Sequence, residues 1–315
     1  MILRLLLLSF FLINQGIACT LTTGSVVPDP AFANPPGALT TQPVSVSLSS
    51  GSTNLIFYTL DGTNPSQISP LYDPANPIEI TQTTILKSVA WCGDNGLPSP
   101  VTAWHYTFHT NNLEHEVTNT LRMAFRLVPP VEEGGLPYYI GKYEVTQSQW
   151  TSLIATNPSR FDSVNAPVEQ VSYKDVLEFV RRLNEREAPL VYRLPTAAEW
   201  FHAARASSSF NYHFGDTHHL LSYYSWYGLN SGNATRNFGE RLPNSWGIYD
   251  THGNVREWVE EKVNGNNSMR FVLNCGYDNI EPTSCYSHMM TPVNVSYASH
   301  NLGFRLLLES TVGQN

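Results

Sequence analysis

A chain of 315 residues is long enough for one large domain or two ordinary ones, and 42% apolar with 12% aromatic residues can bury sizeable cores. A formal charge of −8 with only 18 lysines and arginines leaves no basic stripe, which sets nucleic acid aside as a partner.

Residues 1–19 read as a signal peptide: Arg4, an apolar run from Leu5 to Ile13, then small residues up to Ala18 and Cys19. The run is too short to span a bilayer as a mature helix, so an exported protein is expected. Ala18-Cys19 is similar to a bacterial lipoprotein cleavage site. That likeness implies a lipid on Cys19 as the only membrane attachment, at the outer membrane, periplasm or cell surface, with plain cleavage after Ala18 as the alternative. Residues 20–43 are rich in Thr, Pro, Gly and Ala and read as a tether into a fold that begins near Val26.

The period then becomes two. Val44, Val46 and Leu48 alternate with serines, Leu55–Leu60 ends at the turn Asp61-Gly62, and residues 84–91 and 103–108 follow as further strands. This pattern predicts an antiparallel β-sandwich over 26–108. The stretch from Ile56 to Pro65, with Leu71-Tyr72, Pro77-Ile78 and Thr84–Ala90, resembles the chitobiase/hexosaminidase C-terminal module. The resemblance implies a small accessory domain, either a glycan-docking surface or a spacer.

Residues 109–121 are polar and unpatterned, a linker, and a second domain is expected over 122–310. It opens with strand-like Phe125–Val128 and Tyr138–Tyr143. Three helix starts follow, each with a hydroxyl three residues ahead of an acid or amide: Thr146 with Gln149, Ser172 with Asp175, Thr196 with Glu199. After Ser172, Val176, Phe179, Val180 and Leu183 recur at helical spacing while Lys174, Glu178, Arg181 and Arg182 face out.

Beyond residue 206 the chain reads mostly as loop, ordered by buried Trp226, Trp246, Trp258 and Phe304 and by a metal. The densest stretch is Pro243-Asn-Ser-Trp-Gly-Ile-Tyr-Asp-Thr-His-Gly-Asn-Val-Arg-Glu-Trp258. Asp250, the carbonyls of Gly253 and Val255, and Glu257 can converge there as hard oxygen ligands for Ca2+. In the competing account Asp250 caps a turn and Glu257 pairs with Arg256 or Arg305 in solvent.

That stretch resembles the P-N-x-x-G-L-Y-D-x-x-G-N-V-x-E-W signature of the formylglycine-generating enzyme (sulfatase-modifying factor) family. Tyr143–Trp150, Pro167–Ser172, Arg193–Trp200 and Asn301–Arg305 carry its other motifs in order. The resemblance implies an α+β, C-type lectin-like fold, the same calcium loop, and a Cu(I) oxidase that uses two thiolates to convert a sulfatase cysteine to formylglycine. Family thiolates stand as C-x4-C after a Gly-Gly-Ser turn; here Cys275-Gly276-Tyr277 replaces the turn, Ile280 falls at one cysteine position, and Cys285 lies near the other. Under the catalytic reading Cys285 is the substrate-reactive thiolate and Cys275 completes a copper site. Under the other the two form a disulfide suited to an exported protein, leaving Cys92 as a buried free thiol.

His218-His219 are expected to be surface residues pointing apart, and Arg193 with Glu199 a structural pair. Tyr223, Tyr224, Trp226, Tyr227, Tyr277 and Tyr286, in ligand-facing loops 206–240 and 259–300, are candidates to contact a glycan, protein or peptide, or else to fill the core. Two functions stand open: a non-catalytic, calcium-ordered binding scaffold of the cell envelope, or a copper-dependent formylglycine-generating oxidase.

Overall fold

The structure is a computed structural model, which describes residues 28–50, 55–92, 97–108, 114–132, 134–216 and 218–310. The leader, Cys19 and the expected start of the first fold at Val26 lie outside the described residues. No helix among the described residues is long and apolar enough to cross a membrane. The chain forms two compact units: of the described residues up to 310, 36–43, 81–83 and those from 105 onward belong to one and the rest to the other.

Among the described residues up to 108 there are seven strands: β1 (Phe32–Asn34), β2 (Ala38–Thr40), β3 (Val44–Ser49), β4 (Leu55–Thr59), β5 (Ile78–Ile80), β6 (Thr84–Trp91) and β7 (Thr102–Phe108). They pair as two sheets, β1-β3-β5 and β2-β7-β6-β4. The two-residue period decides which side chains go inside: Val46 and Leu48 of β3 are buried while the intervening serines are exposed. The β3–β5 register places Val46 opposite Ile78, and both are core residues. The expected strands are present. One pairing differs from the antiparallel expectation, since β2 runs parallel to β7. Cys92 is disulfide-bonded and not the free thiol expected.

After residue 108 come β8 (Glu116–Thr118), β9 (Ala124–Val128) and β10 (Tyr138–Gly141). Pairing of β8 with β9 places a strand inside the stretch expected to be linker. Helices α1 (Gln147–Thr151), α2 (Tyr173–Arg186) and α3 (Ala197–Arg205) follow, with β11 (Tyr192–Arg193) between the last two and a short α4 (Leu221–Tyr224) after them. Each of the first three helices starts where its hydroxyl stood, because Thr146, Ser172 and Thr196 all form reciprocal capping boxes with the N3 residue. Helix α2 buries Val176, Phe179, Val180 and Leu183, each contributing roughly 1.5–3 kcal/mol over an exposed position.

Strands β12 (Arg256–Val263) and β13 (Asn266–Leu273) form a hairpin, and β14 (Met290–Asn294), β15 (Leu302–Gly303) and β16 (Leu307–Leu308) complete the count. The sheets run β11-β16-β10-β9-β8 and β14-β13-β12-β15. Residues 259–273, expected to be ligand-facing loop, are therefore mostly sheet. Asn264 and Gly265, with φ of 47° and 74°, make the two-residue turn that joins the hairpin. The core here joins Trp150, Phe179 and Phe304, with the first two rings stacked at 5.4 Å.

Candidate functional site

The stretch 243–258 is ordered, and asparagine side chains hold it. Asn244 Oδ1 accepts from the backbone N–H of Trp246 at 3.0 Å and Ile248 at 3.1 Å, while its Nδ2 donates to the Ala203 carbonyl at 2.7 Å at the end of α3. Asn254, at φ 63°, accepts on Oδ1 from Arg236 N and donates through Nδ2 to Glu144 Oε2 at 2.7 Å. Gly253 admits no side chain, since a Cβ there would stand 2.2 Å from Ser225 Oγ.

At the end of the stretch Glu257 and Arg305 form a buried, bidentate ion pair, with Nε and Nη2 each 2.7 Å from a carboxylate oxygen. Trp200 Nε1 donates to the same carboxylate at 2.6 Å, and Arg305 spends its other donors on the carbonyls of Gly141 and Tyr249. Every polar atom of this pair has a partner, the condition under which a buried pair is tolerated. Glu257 thus does pair with Arg305, although in the core and not in solvent.

Asp250 is different. Its Oδ2 accepts from Gly239 N at 3.1 Å, but Oδ1 is buried without a partner. Burial, reinforced by the Glu257 charge, pushes its carboxyl up to about 6. Glu144 is raised as well, first by burial and then by the charges of Asp250 and Glu257, although Val255 N and Asn254 Nδ2 both donate to it.

Asp250, Gly253, Val255 and Glu257 share this loop, but as a calcium set they do not fit the hydrogen bonding around them. Glu257 is committed to Arg305 and Trp200, and the Gly253 carbonyl accepts from Asn274 Nδ2 at 3.2 Å. Among the described residues no group of three or more His, Cys, Asp or Glu could hold a metal ion.

Cys275 and Cys285 are joined in a disulfide, and both are buried. No thiolate pair is available to Cu(I) in this state, and the catalytic roles expected of the two cysteines do not fit it. His252 spans the bridge. Its Nδ1 bonds the Cys285 carbonyl at 2.8 Å and its own carbonyl lies 2.9 Å from Cys275 Sγ. Because His213 N donates to Nε2 at 3.3 Å, the proton belongs on Nδ1. Burial depresses His252 to about 4 and His213 well below the usual range, in a box with Tyr212, Phe214 and Tyr224.

The loop closed by the bridge exposes Ile280 at its tip, 63% accessible, beside Leu229 at 65%. A Gly228 N to Asn279 O bond of 2.8 Å ties the two segments together. Below them Tyr277 donates to, or accepts from, His300 Nδ1 at 2.6 Å, and Phe161 packs edge-on against its ring. Glu169 receives Phe161 N at 2.9 Å, and burial lifts it to about 7.

Of the aromatic candidates, Tyr224, Tyr227 and Tyr277 are core residues, whereas Tyr223, Trp226 and Tyr286 are half-buried. Arg241 stacks on Trp226 at 3.5 Å. Arg193 pairs with Glu199 at 2.6 Å. His218 and His219 are exposed, yet their rings lie 4.9 Å apart because they sit in a 3-10 turn, not pointing apart as a helix or strand would place them. Sequence reasoning missed Glu144, Glu169, His252, Asn254 and Asn274. All but Asn274 lie inside quoted motifs, and a polar residue with no helix or strand role there is the signal that could have found them.

Residues 116–310, more than half of the chain, match the model of the sulfatase-modifying factor enzyme 1-like domain. The chain belongs to that family. In front of this sulfatase-modifying-factor domain, residues 35–102 match the chitobiase/beta-hexosaminidase C-terminal domain. The chain is 32% identical over 176 residues to the protein named chaperone protein LppX of Paenibacillus barcinonensis, covering 39% of this chain and 62% of that one. It is 33% identical over 121 residues to the formylglycine-generating enzyme of Mycobacterium tuberculosis, covering 35% and 38% respectively. The chain thus spans less than two thirds of either curated relative. Among solved structures, Treponema denticola variable protein 1 superposes with a TM-score of 0.54 at 22% identity, over 63% of this chain and 100% of that one, a likeness of fold.

Proposed function

We propose that this sulfatase-modifying-factor domain is a non-catalytic polypeptide-binding scaffold of the cell envelope, C-type lectin-like in arrangement. The observation that carries the reading is the buried Cys275–Cys285 disulfide, which leaves an exposed Ile280 where the family pattern asks for a thiolate. Apolar Leu229 and Ile280 offer a polypeptide a place to bury side chains, the chemistry by which chaperones hold clients. The name of the LppX relative agrees with this. Export, with a leader cleaved after Ala18, suits a chain whose described cysteines are oxidised. Order in the 243–258 loop comes from Arg305 and the asparagines, so the scaffold holds without calcium.

Differential alkylation of the purified chain tests the catalytic half of this reading. Neither Cys275 nor Cys285 is expected to label before reduction, and after reduction Cu(I) should give no protection. Copper-protected thiols together with formylglycine formed on a sulfatase-type cysteine peptide would establish the oxidase instead. Suppression of client aggregation that is lost in Leu229→Ser/Ile280→Ser tests the binding half.

A further inference from the structure

Away from the loop network, the C-terminal end of α3 opens onto a pocket of about 330 Å³ lined by Ala198, Phe201, His202, Arg205 and residues 207–209. Two of the side chains there carry uncommitted polar atoms. Arg205 Nε is buried with no hydrogen-bond partner, and no carboxylate stands within ion-pair distance of the guanidinium among the described residues. His202 Nε2 is also buried and unpartnered. The edge-on Trp246 ring, 5.0 Å away, packs against the imidazole.

Buried polar atoms without partners are rare in folded chains, and two lining one pocket call for a ligand that supplies a partner for each. A guanidinium without an acid is a fork for a carboxylate. The imidazole Nε2 donates or accepts according to its tautomer, and a ligand hydroxyl satisfies it either way. The lip suits the same ligand: Ala206 and Ser207, at φ 47° and 70°, turn the chain so that Ser207 and Ser209 are exposed. Ser208 takes no part, because its hydroxyl bonds the Tyr212 carbonyl at 3.1 Å. Half-buried Phe201 and exposed Ala198 give the pocket one apolar wall. Its volume is at the small end of ligand sites, enough for one ring.

We propose that this pocket binds an acidic sugar residue, with Arg205 on the carboxylate, His202 Nε2 on a ring hydroxyl, and Phe201 against the C–H face. The site is separate from the Ile280 rim and stands whether or not that rim holds polypeptide.

Calorimetric titration of the full chain with glucuronate, glucose and inorganic sulfate tests it, using wild type, Arg205→Gln and Ala198→Glu. The second variant places a repelling carboxylate on the pocket wall at an exposed position in the first turn of α3, where an acid favours the helix, so it carries the test even if Arg205→Gln fails to fold. Glucuronate is expected to bind wild type and to bind both folded variants about tenfold or more weakly, the effect of losing a charge-assisted contact, with glucose binding no better to wild type than to the variants. Equal glucuronate affinity in wild type and variants, inorganic sulfate binding as tightly as glucuronate, or no glucuronate binding at all would each overturn the proposal.

Discussion

The stretch from 144 to 205 and the stretch from 206 to 310 reach order by different routes. The first is helical: its starts are fixed by capping boxes, its core face by 3.6-residue spacing, and its charged fringe by the Glu178–Arg181 and Glu178–Arg182 pairs in solvent. Apart from one long hairpin, the second has little regular ladder. There Asn244, Asn254 and Asn274 bond backbone groups across the fold, and Glu257 and Arg305 meet from 48 residues apart. The same types of charged residue are thus cheap to alter in the first stretch and costly in the second, because burial decides what an unpartnered charge costs.

The largest expected effect lies at the buried pair. Glu257→Gln leaves Arg305 charged in the core and is expected to cost about 3–5 kcal/mol in denaturant unfolding. The double variant Glu257→Gln/Arg305→Met should recover part of that loss. A double variant no more stable than the single one would mean that the Arg305 bonds to Gly141 and Tyr249, not the ion pair, hold the loop.

Asp250 sharpens the comparison through pH. Its folded carboxyl is raised to about 6 from 3.8, so the folded state holds the proton longer, and stability falls as pH rises between those values and stays lowered above them. Asp250→Asn keeps a side-chain oxygen for Gly239 N and removes the titration. It should stabilise the protein by up to about 3 kcal/mol above pH 6 and by little below pH 4, in melting curves taken across that range. His252 acts the other way. Its folded value near 4, against 6.5, makes stability fall as pH drops from 6.5 towards 4, and this limb should survive in the variant.

In the helical stretch Ser172→Ala removes a cap and is expected to cost about 1 kcal/mol, read from chemical denaturation. The smallest effects test the two ends of the comparison together. Glu178→Gln should leave the melting temperature unchanged, as should a calcium chelator. A chelator-induced drop of several degrees would reverse the assignment of Glu257 to Arg305 and return it to a metal.

What the sequence determined by itself is what neighbouring residues decide. The three capping boxes, the buried face of α2 and the strand alternation around Val46 and Leu48 all follow from contacts within a few positions. The family motifs marked the 243–258 stretch, and compartment chemistry pointed to the Cys275–Cys285 pairing. The β12–β13 hairpin was also local, announced by Asn264-Gly265, but its strands carry too many exposed polar residues to show a clear period. Tertiary structure alone decided that Arg305, and not a cation from solvent, meets Glu257, and that Asp250 Oδ1 is left unpartnered. It also placed His252 across the disulfide and turned Arg205 and His202 into one pocket. All but the pocket depend on groups far apart in the chain, and the pocket, lined by residues 198–209, depends on how much water reaches its polar atoms; neither quantity is written in local spacing.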